Sequence, residues 1–238
     1  MITPEIMIKA LKKQMIAKRG NVTFIGIAGG SASGKTTIGQ LIRDYFDTKS
    51  VSHLSVDLFY KDQTPEIITR YDGKVDYDDP FMLDERELLN TINQLKERKS
   101  VNCPIYDYSL SKHVEQYEKI EAADIIIIEG IYSYYWKIIA EVCNLRIFVD
   151  CSGEQRLIRR IRRDIAERGR DLDGILSQYE QQVKPAYDKW VVSQKKNANL
   201  VIPWDAIDEQ ANFEAVELLV NHISVLCETR PNSPKKSE

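Results

Sequence analysis

Gly29-Gly30-Ser31-Ala32-Ser33-Gly34-Lys35-Thr36 has the spacing GxxxxGK[ST], and Thr37 continues the run. Glycines at these places let successive backbone N–H groups turn inward around phosphate oxygens. The lysine can then reach the β- and γ-phosphates, and the threonine hydroxyl can ligate Mg²⁺. The chemistry implied is the binding of a nucleoside triphosphate. A second candidate is Asp57, in Ser55-Val56-Asp57-Leu58-Phe59-Tyr60-Lys61, which follows an apolar run. Residues just past the strand ends of an open α/β sheet face the ligand crevice. A carboxylate there can take the proton of an acceptor hydroxyl and hold that oxygen in line with a γ-phosphate. Asp57 also lies where a dinucleotide site would place its ribose-binding acid, but the chain has no GxGxxG, and a Gly-Lys-Thr ending has no use in such a site. A solvated aspartate after a strand is the ordinary alternative.

Three further groups bear on where the phosphate goes. Glu129 ends the run Ile125-Ile126-Ile127-Ile128 and is followed by Gly130, so it can hold Mg²⁺ beside the phosphates. Between Glu154 and Asp171 stand Arg156, Arg159, Arg160, Arg162, Arg163, Arg168 and Arg170. Helical spacing predicts Arg156, Arg160 and Arg163 on one face, converging on a ligand, and Leu157, Ile161 and Ile165 on another, packing inward. Guanidinium forks suit phosphate oxygens; a solvated basic face paired with Asp164 and Glu167 is the competing reading. Asp72, Asp76, Asp78 and Asp79, with Tyr71 and Tyr77, precede Pro80. Such a loop can grip two sugar hydroxyls or simply carry solvated charge, and the residues alone leave both open.

The elements that must position these groups follow from periodicity. Val22 to Ala28 reads as the strand before the phosphate loop, and Thr36 to Phe46 as the helix after it, with Ile38, Leu41, Ile42 and Tyr45 on one face. Apolar runs recur at Val51–Val56, Val101–Ile105, Ala123–Ile128, Leu145–Val149 and Leu200–Ile202, mostly separated by helical patterns. That alternation predicts a parallel sheet with helices on both faces, the four isoleucines forming a strand buried on both sides. The polar stretch from Tyr106 to Ile120 predicts a hairpin at the sheet's edge. Thr3 and Pro4 start a short N-terminal helix that Gly20 stops, and 230–238 lack apolar anchors and read as disordered.

Composition narrows the partners. With 238 residues and 43% apolar content the chain can build one large core, and a net charge of -3 argues against a nucleic-acid or membrane surface. Within the arginine segment no aromatics interleave, which also disfavours nucleic acid. Cys103, Cys143, Cys151 and Cys227 form no CxxC pair and sit in or beside apolar segments, as reduced thiols of a cytoplasmic protein would. No apolar run approaches a membrane span and no signal-peptide core opens the chain.

Taken together, the phosphate loop, Asp57-Leu58-Phe59-Tyr60-Lys61, Tyr77-Asp78-Asp79-Pro80, Tyr106-Asp107-Tyr108, Glu129-Gly130-Ile131, Ile165-Ala166-Glu167-Arg168-Gly169-Arg170-Asp171, Ser177-Gln178-Tyr179 and Val183-Lys184-Pro185 resemble the uridine/cytidine kinase family of P-loop kinases, with its phosphoribulokinase neighbours. The resemblance runs from about Val22 to Leu226. It implies ATP- or GTP-dependent, Mg²⁺-assisted phosphorylation of a pyrimidine ribonucleoside at its 5′-hydroxyl, as in pyrimidine salvage. In that comparison Asp57 matches the general base, Asp78 the grip on the ribose hydroxyls, Arg160 a ribose-side arginine and Arg163 and Arg168 lid arginines near the phosphates. Tyr106, Arg170 and Gln178 match positions around the pyrimidine, and Tyr60 joins the acceptor site. Family members often assemble as homotetramers, and the resemblance implies a homo-oligomer, dimer or tetramer, here too. The domain plan implied is an N-terminal helical extension over 1–20, a P-loop kinase domain over 21–228 and a tail over 229–238.

One departure concerns the base. The family places a histidine five residues after the tyrosine matched by Tyr106, and here Ser111 stands there, with His113 displaced by two. Asp79 also replaces a common histidine, and Val56 and Leu58 replace polar neighbours of the general base. Two alternatives therefore stay open: a kinase for another small hydroxylated acceptor, and a nucleotide-dependent regulatory protein.

Overall fold

The structure, a computed structural model, describes residues 22–46, 50–108, 110–205 and 209–228. The expected N-terminal helix (1–20), the tail (229–238) and the side chain of Cys227 lie outside that description. Five strands form one parallel sheet: β1 (Thr23–Gly29), β2 (Val51–Ser55), β5 (Ile125–Glu129), β6 (Leu145–Asp150) and β7 (Leu200–Pro203). Their order is β2-β5-β1-β6-β7, so the strand that leads into the phosphate loop lies at the centre. Two strands between, β3 (Val101–Asp107) and β4 (Lys112–Ile120), form a separate antiparallel ribbon. The helices are α1 (Lys35–Phe46), α2 (Pro65–Arg70), α3 (Glu85–Lys96), α4 (Lys137–Val142), α5 (Gly153–Arg168), α6 (Leu172–Gln178) and α7 (Glu209–Glu228), with a run of mixed helical pitch over 179–197 between α6 and β7.

Alternation along the strands builds the two halves of the core. Ile25 and Ile27 of β1, with Ile125 and Ile127 of β5, face α1 (Ile38, Ile42, Phe46) and α7 (Leu219, Val220, Ile223). Phe24 and Ala28, with Ile126 and Ile128, face α3 (Leu88, Ile92, Leu95) and the tyrosines Tyr132 and Tyr134. Strand β5 is thus buried on both faces, as its isoleucine run predicts. Each fully buried isoleucine contributes about 1.5–3 kcal/mol of apolar transfer, which makes the sheet a firm base for the loops at its rim.

Two expectations need correction. Val101–Ile105 does not join the parallel sheet; it pairs only with β4, and the register shifts between Pro104 and Tyr106. Pro104 has no N–H for a second ladder, which keeps this run out of a sheet interior. On α1, Leu41 is exposed rather than packed, while Lys35, Ile38, Gly39, Ile42 and Phe46 form the buried face. No described helix is long and apolar enough to cross a membrane, and Cys103, Cys143 and Cys151 are buried free thiols.

Candidate active site

Register places the chemistry. Parallel pairing sets Ser55 of β2 beside Glu129 of β5, and Glu129 beside Ile27 of β1. Asp57, Glu129 and the phosphate loop therefore emerge at the same end of the sheet, where the strand order reverses. The loop wraps from Gly29 to Lys35 with left-handed backbone at Ala32 (φ 61°) and Gly34 (φ 101°). A Cβ on Gly34, whose backbone is left-handed, would come 2.3 Å from the Trp204 ring, so this position needs glycine; one on Gly30 would come 2.5 Å from the Arg156 guanidinium and would displace it. The buried Lys35 Nζ donates to the Gly30 carbonyl at 2.9 Å and lies 3.9 Å from Glu129. Thr36 Oγ1 donates to Glu129 Oε2 at 3.2 Å. Burial pushes the Lys35 ammonium down and the Glu129 carboxyl up, and each charge opposes the other's shift. The Ser33 hydroxyl is buried without a hydrogen-bond partner.

These groups fit a Mg²⁺-triphosphate. Thr36 and the buried Glu129 carboxylate supply hard oxygen donors, few enough for an ion that keeps waters and phosphate oxygens in its shell. The start of the twelve-residue helix α1 offers backbone N–H groups for the phosphates, while the Ser33 N–H is taken by the Gly30 carbonyl at 3.1 Å within the loop.

Around this cradle opens a cavity of about 790 Å³. Of the residues expected to touch ligand, Ser31, Ala32, Gly34, Lys35, Thr36, Thr37, Asp57, Tyr60, Asp78, Tyr106, Ser111, Glu129, Arg160, Arg163, Arg168, Arg170 and Gln178 all line it, whereas Gly29, Gly30 and Ser33 lie beneath the loop surface. Asp57 sits on a single 3₁₀ turn (Val56–Phe59) that Ser55 caps by accepting the Asp57 N–H at 3.2 Å. Asp78 also faces the cavity, and burial pushes its carboxyl up to about 6 against the pull of Arg160. Its neighbour Asp79 instead caps the turn Pro80–Met82 by accepting the Phe81 N–H. Tyr60 is buried against Tyr77, Tyr106 and Tyr108, with ring centroids 6.4, 5.5 and 6.2 Å away. This wall is aromatic and its floor is acidic.

Helix α5 buries Arg156 and Arg160 and leaves Arg162, Ile158 and Ile165 exposed. Arg156, Arg160 and Asp164 are its buried residues, whereas Ile158 and Ile165 are 43% and 47% exposed, so the expected inward packing of Ile165 does not occur. Asp164, which is fully buried, gathers four cations: Arg163 at 2.8 Å, Arg168 at 3.4 Å, and Arg160 and Arg170 at 3.6 Å. Gly169, left-handed at φ 61°, ends the helix and brings Arg170 back to this carboxylate. Arg160 also donates to Ser31 Oγ at 2.9 Å, tying the helix to the phosphate loop. Gln178 Oε1 accepts from Arg160 and Arg170, both at 2.8 Å. Arg156, expected to share the ligand face, stacks on Tyr187 at 3.7 Å and donates to the Cys151 carbonyl outside the cavity; Arg159 lines the cavity instead.

Ser111 faces the cavity with left-handed backbone (φ 52°). His113 does not replace the missing ring there. Its imidazole is fixed between the Asp62 carboxylate at 2.8 Å and the Leu58 carbonyl at 3.0 Å, edge-on to Tyr106. Tyr108 and Arg159, named from the sequence only as part of a motif and of the arginine segment, line the cavity, as do Trp204 and His53, to which no sequence signal pointed. Tyr108 was within reach of such reading, because it lies two residues beyond Tyr106, on the same face of an extended chain.

The fold and the cradle together define a P-loop nucleotide-binding protein with a doubly wound α/β core. Residues 24–208 match the model of the phosphoribulokinase/uridine kinase family. The chain belongs to that family. It is 37% identical over 207 residues to uridine-cytidine kinase-like 1 of Mus musculus and 36% identical over 217 residues to uridine-cytidine kinase A of Dictyostelium discoideum, covering 87% and 91% of this chain. It spans only 37% and 42% of the length of those two proteins. It is also 36% identical to the uridine kinase of Bacillus thuringiensis (strain Al Hakam), over 87% of this chain and 96% of that one. Among solved structures, phosphoribulokinase from Rhodobacter spheroides shares the fold (TM-score 0.56, 17% identity, 77% of this chain and 70% of that one). D-glycerate 3-kinase from Cryptococcus neoformans does likewise (TM-score 0.57, 10% identity, 84% and 95%).

Proposed function

We propose that this chain is a nucleoside kinase that transfers the γ-phosphoryl group of ATP or GTP to the 5′-hydroxyl of uridine or cytidine. The observation that carries the reading is one cavity lined both by the exposed residues of the phosphate loop and by Asp57 with its aromatic and acidic neighbours. The names of the relatives support the same acceptor class. In this reading Asp57 accepts the proton of the 5′-hydroxyl as its oxygen bonds to the γ-phosphorus, the bond to the β,γ-bridging oxygen breaks, and the nucleoside diphosphate leaves. Lys35 and the loop N–H groups hold the β- and γ-phosphates. Arg163 and Arg168 stabilise charge on the transferring group. Asp78 and Arg160 take the ribose hydroxyls, and Tyr60, Tyr106, Ser111, Arg170 and Gln178 surround the base. Thr36 and Glu129 would hold Mg²⁺, which supplies charge neutralisation on the triphosphate when bound. A cytoplasmic setting suits the buried free thiols.

The test is nucleotide turnover with ATP and Mg²⁺ against uridine, cytidine, other nucleosides and a sugar phosphate. ADP release that depends on a pyrimidine nucleoside is expected. Release driven only by a sugar phosphate or another alcohol would replace the acceptor, and release indifferent to every acceptor would favour a regulatory nucleotide hydrolase.

A further inference from the structure

We propose that Tyr108 is a positioning residue: its phenol fixes the Asp57 carboxylate through one oxygen and leaves the other for the acceptor hydroxyl. The inference rests on the kinase reading above. Tyr108 Oη donates to Asp57 Oδ2 at 2.6 Å, within the short range of hydrogen bonds to an ionised carboxylate. Among the described residues no hydrogen bond is made to Oδ1, and Asp57 lines the cavity. Without this contact the carboxylate would rotate about its side chain on a turn only four residues long.

The phenol is itself held from three directions. Its ring lies edge-on to Tyr60, which follows the turn that carries Asp57, and edge-on to Tyr106 of β3, with centroids 6.2 and 5.6 Å away. The Arg168 guanidinium, at the end of α5, lies 4.8 Å from the ring centroid. Tyr108 therefore connects the base, the ribbon and an arginine of the phosphate side in one contact set. Burial, then the charge and hydrogen bond of Asp57, push the phenol's ionisation upward, so it stays a donor across the working pH range.

A tyrosine that served only as an aromatic wall would keep its value without the hydroxyl, and Tyr108→Phe separates the two roles because it retains the ring and the Arg168 contact. A hydrogen bond to a charged group, when lost, corresponds to about a ten- to hundredfold change in rate. Tyr108→Phe is expected to lower kcat by that factor while the KM of acceptor and nucleotide stay within about threefold. Tyr108→Leu, which removes the ring too, is expected to raise the acceptor KM as well. In an Asp57→Asn background the same Tyr108→Phe change is expected to have no further effect, because the phenol acts through that carboxylate. A Tyr108→Phe enzyme with the parent kcat, or one whose loss persists in full in the Asp57→Asn background, would overturn the assignment. If the parent enzyme uses another alcohol instead of a nucleoside, the nucleoside reading falls, and the same kcat ratio measured on that alcohol still decides the role of Tyr108.

Discussion

Asp57 carries the most specific chemical consequence at the scale of single residues. Proton acceptance in phosphoryl transfer matters less than alignment, so its loss slows turnover without emptying the donor site. Asp57→Asn is expected to lower kcat by about 10²–10⁴ with the nucleotide Kd nearly unchanged; steady-state turnover and a nucleotide-binding titration check both halves, and an intact kcat would remove the proposed base. Most of the site was legible at this scale because its signals are short. The loop spacing, the acid after β2 and the acid after β5 each lie within a few residues of a recognisable strand, and the structure brings them into one cavity. What was hidden was long-range. Nothing in sequence says that the Tyr108 phenol meets a carboxylate 51 positions away, or that His113 is occupied by Asp62 and Leu58.

Among the elements, α5 was read correctly for Arg160 and Arg163, which line the cavity, and wrongly for Ile165, which is exposed, and Arg156, which stacks on Tyr187. Because α5 borders a polar cavity, its inner face is cationic, and Asp164 is the pin on which the cations turn. Removing one partner of a buried ion cluster leaves uncompensated charge at a cost of about 3–5 kcal/mol. Asp164→Ala is therefore expected to lower the melting temperature markedly and to impair turnover, whereas Asp164→Asn, which keeps the shape, should retain more stability; equal melting of Asp164→Ala and the parent protein would contradict the pinning role. The ribbon shows the complementary limit. Its apolar run resembles any buried strand, and only Pro104 signals that a second neighbour is excluded.

For the molecule as a whole, the buried carboxylate of the proposed acceptor pocket costs stability at neutral pH. Burial pushes the Asp78 carboxyl up to about 6 in the folded chain, from an ordinary value of 3.8. The folded state thus binds its proton more tightly than the unfolded state. The stabilising contribution is full below the ordinary value and is lost as pH rises through about 6. At neutral pH Asp78→Asn should then stabilise the ligand-free protein by on the order of 1–2 kcal/mol while it weakens acceptor binding. Melting curves at pH 7.5 and pH 4.5 are the check: a gain at the first that shrinks at the second is expected, and no gain at pH 7.5 would refute the sign.

The sheet order has a further meaning for how such a cavity can be remodelled. Donor-handling parts grow from the central strand and its parallel neighbours, while Tyr106, Tyr108 and Ser111 hang on a two-stranded arm with its own separate ladder. Substitutions or length changes along that arm leave the main ladder's hydrogen bonds intact, so one wall of the cavity can be refashioned without disturbing the strands that carry the phosphate loop.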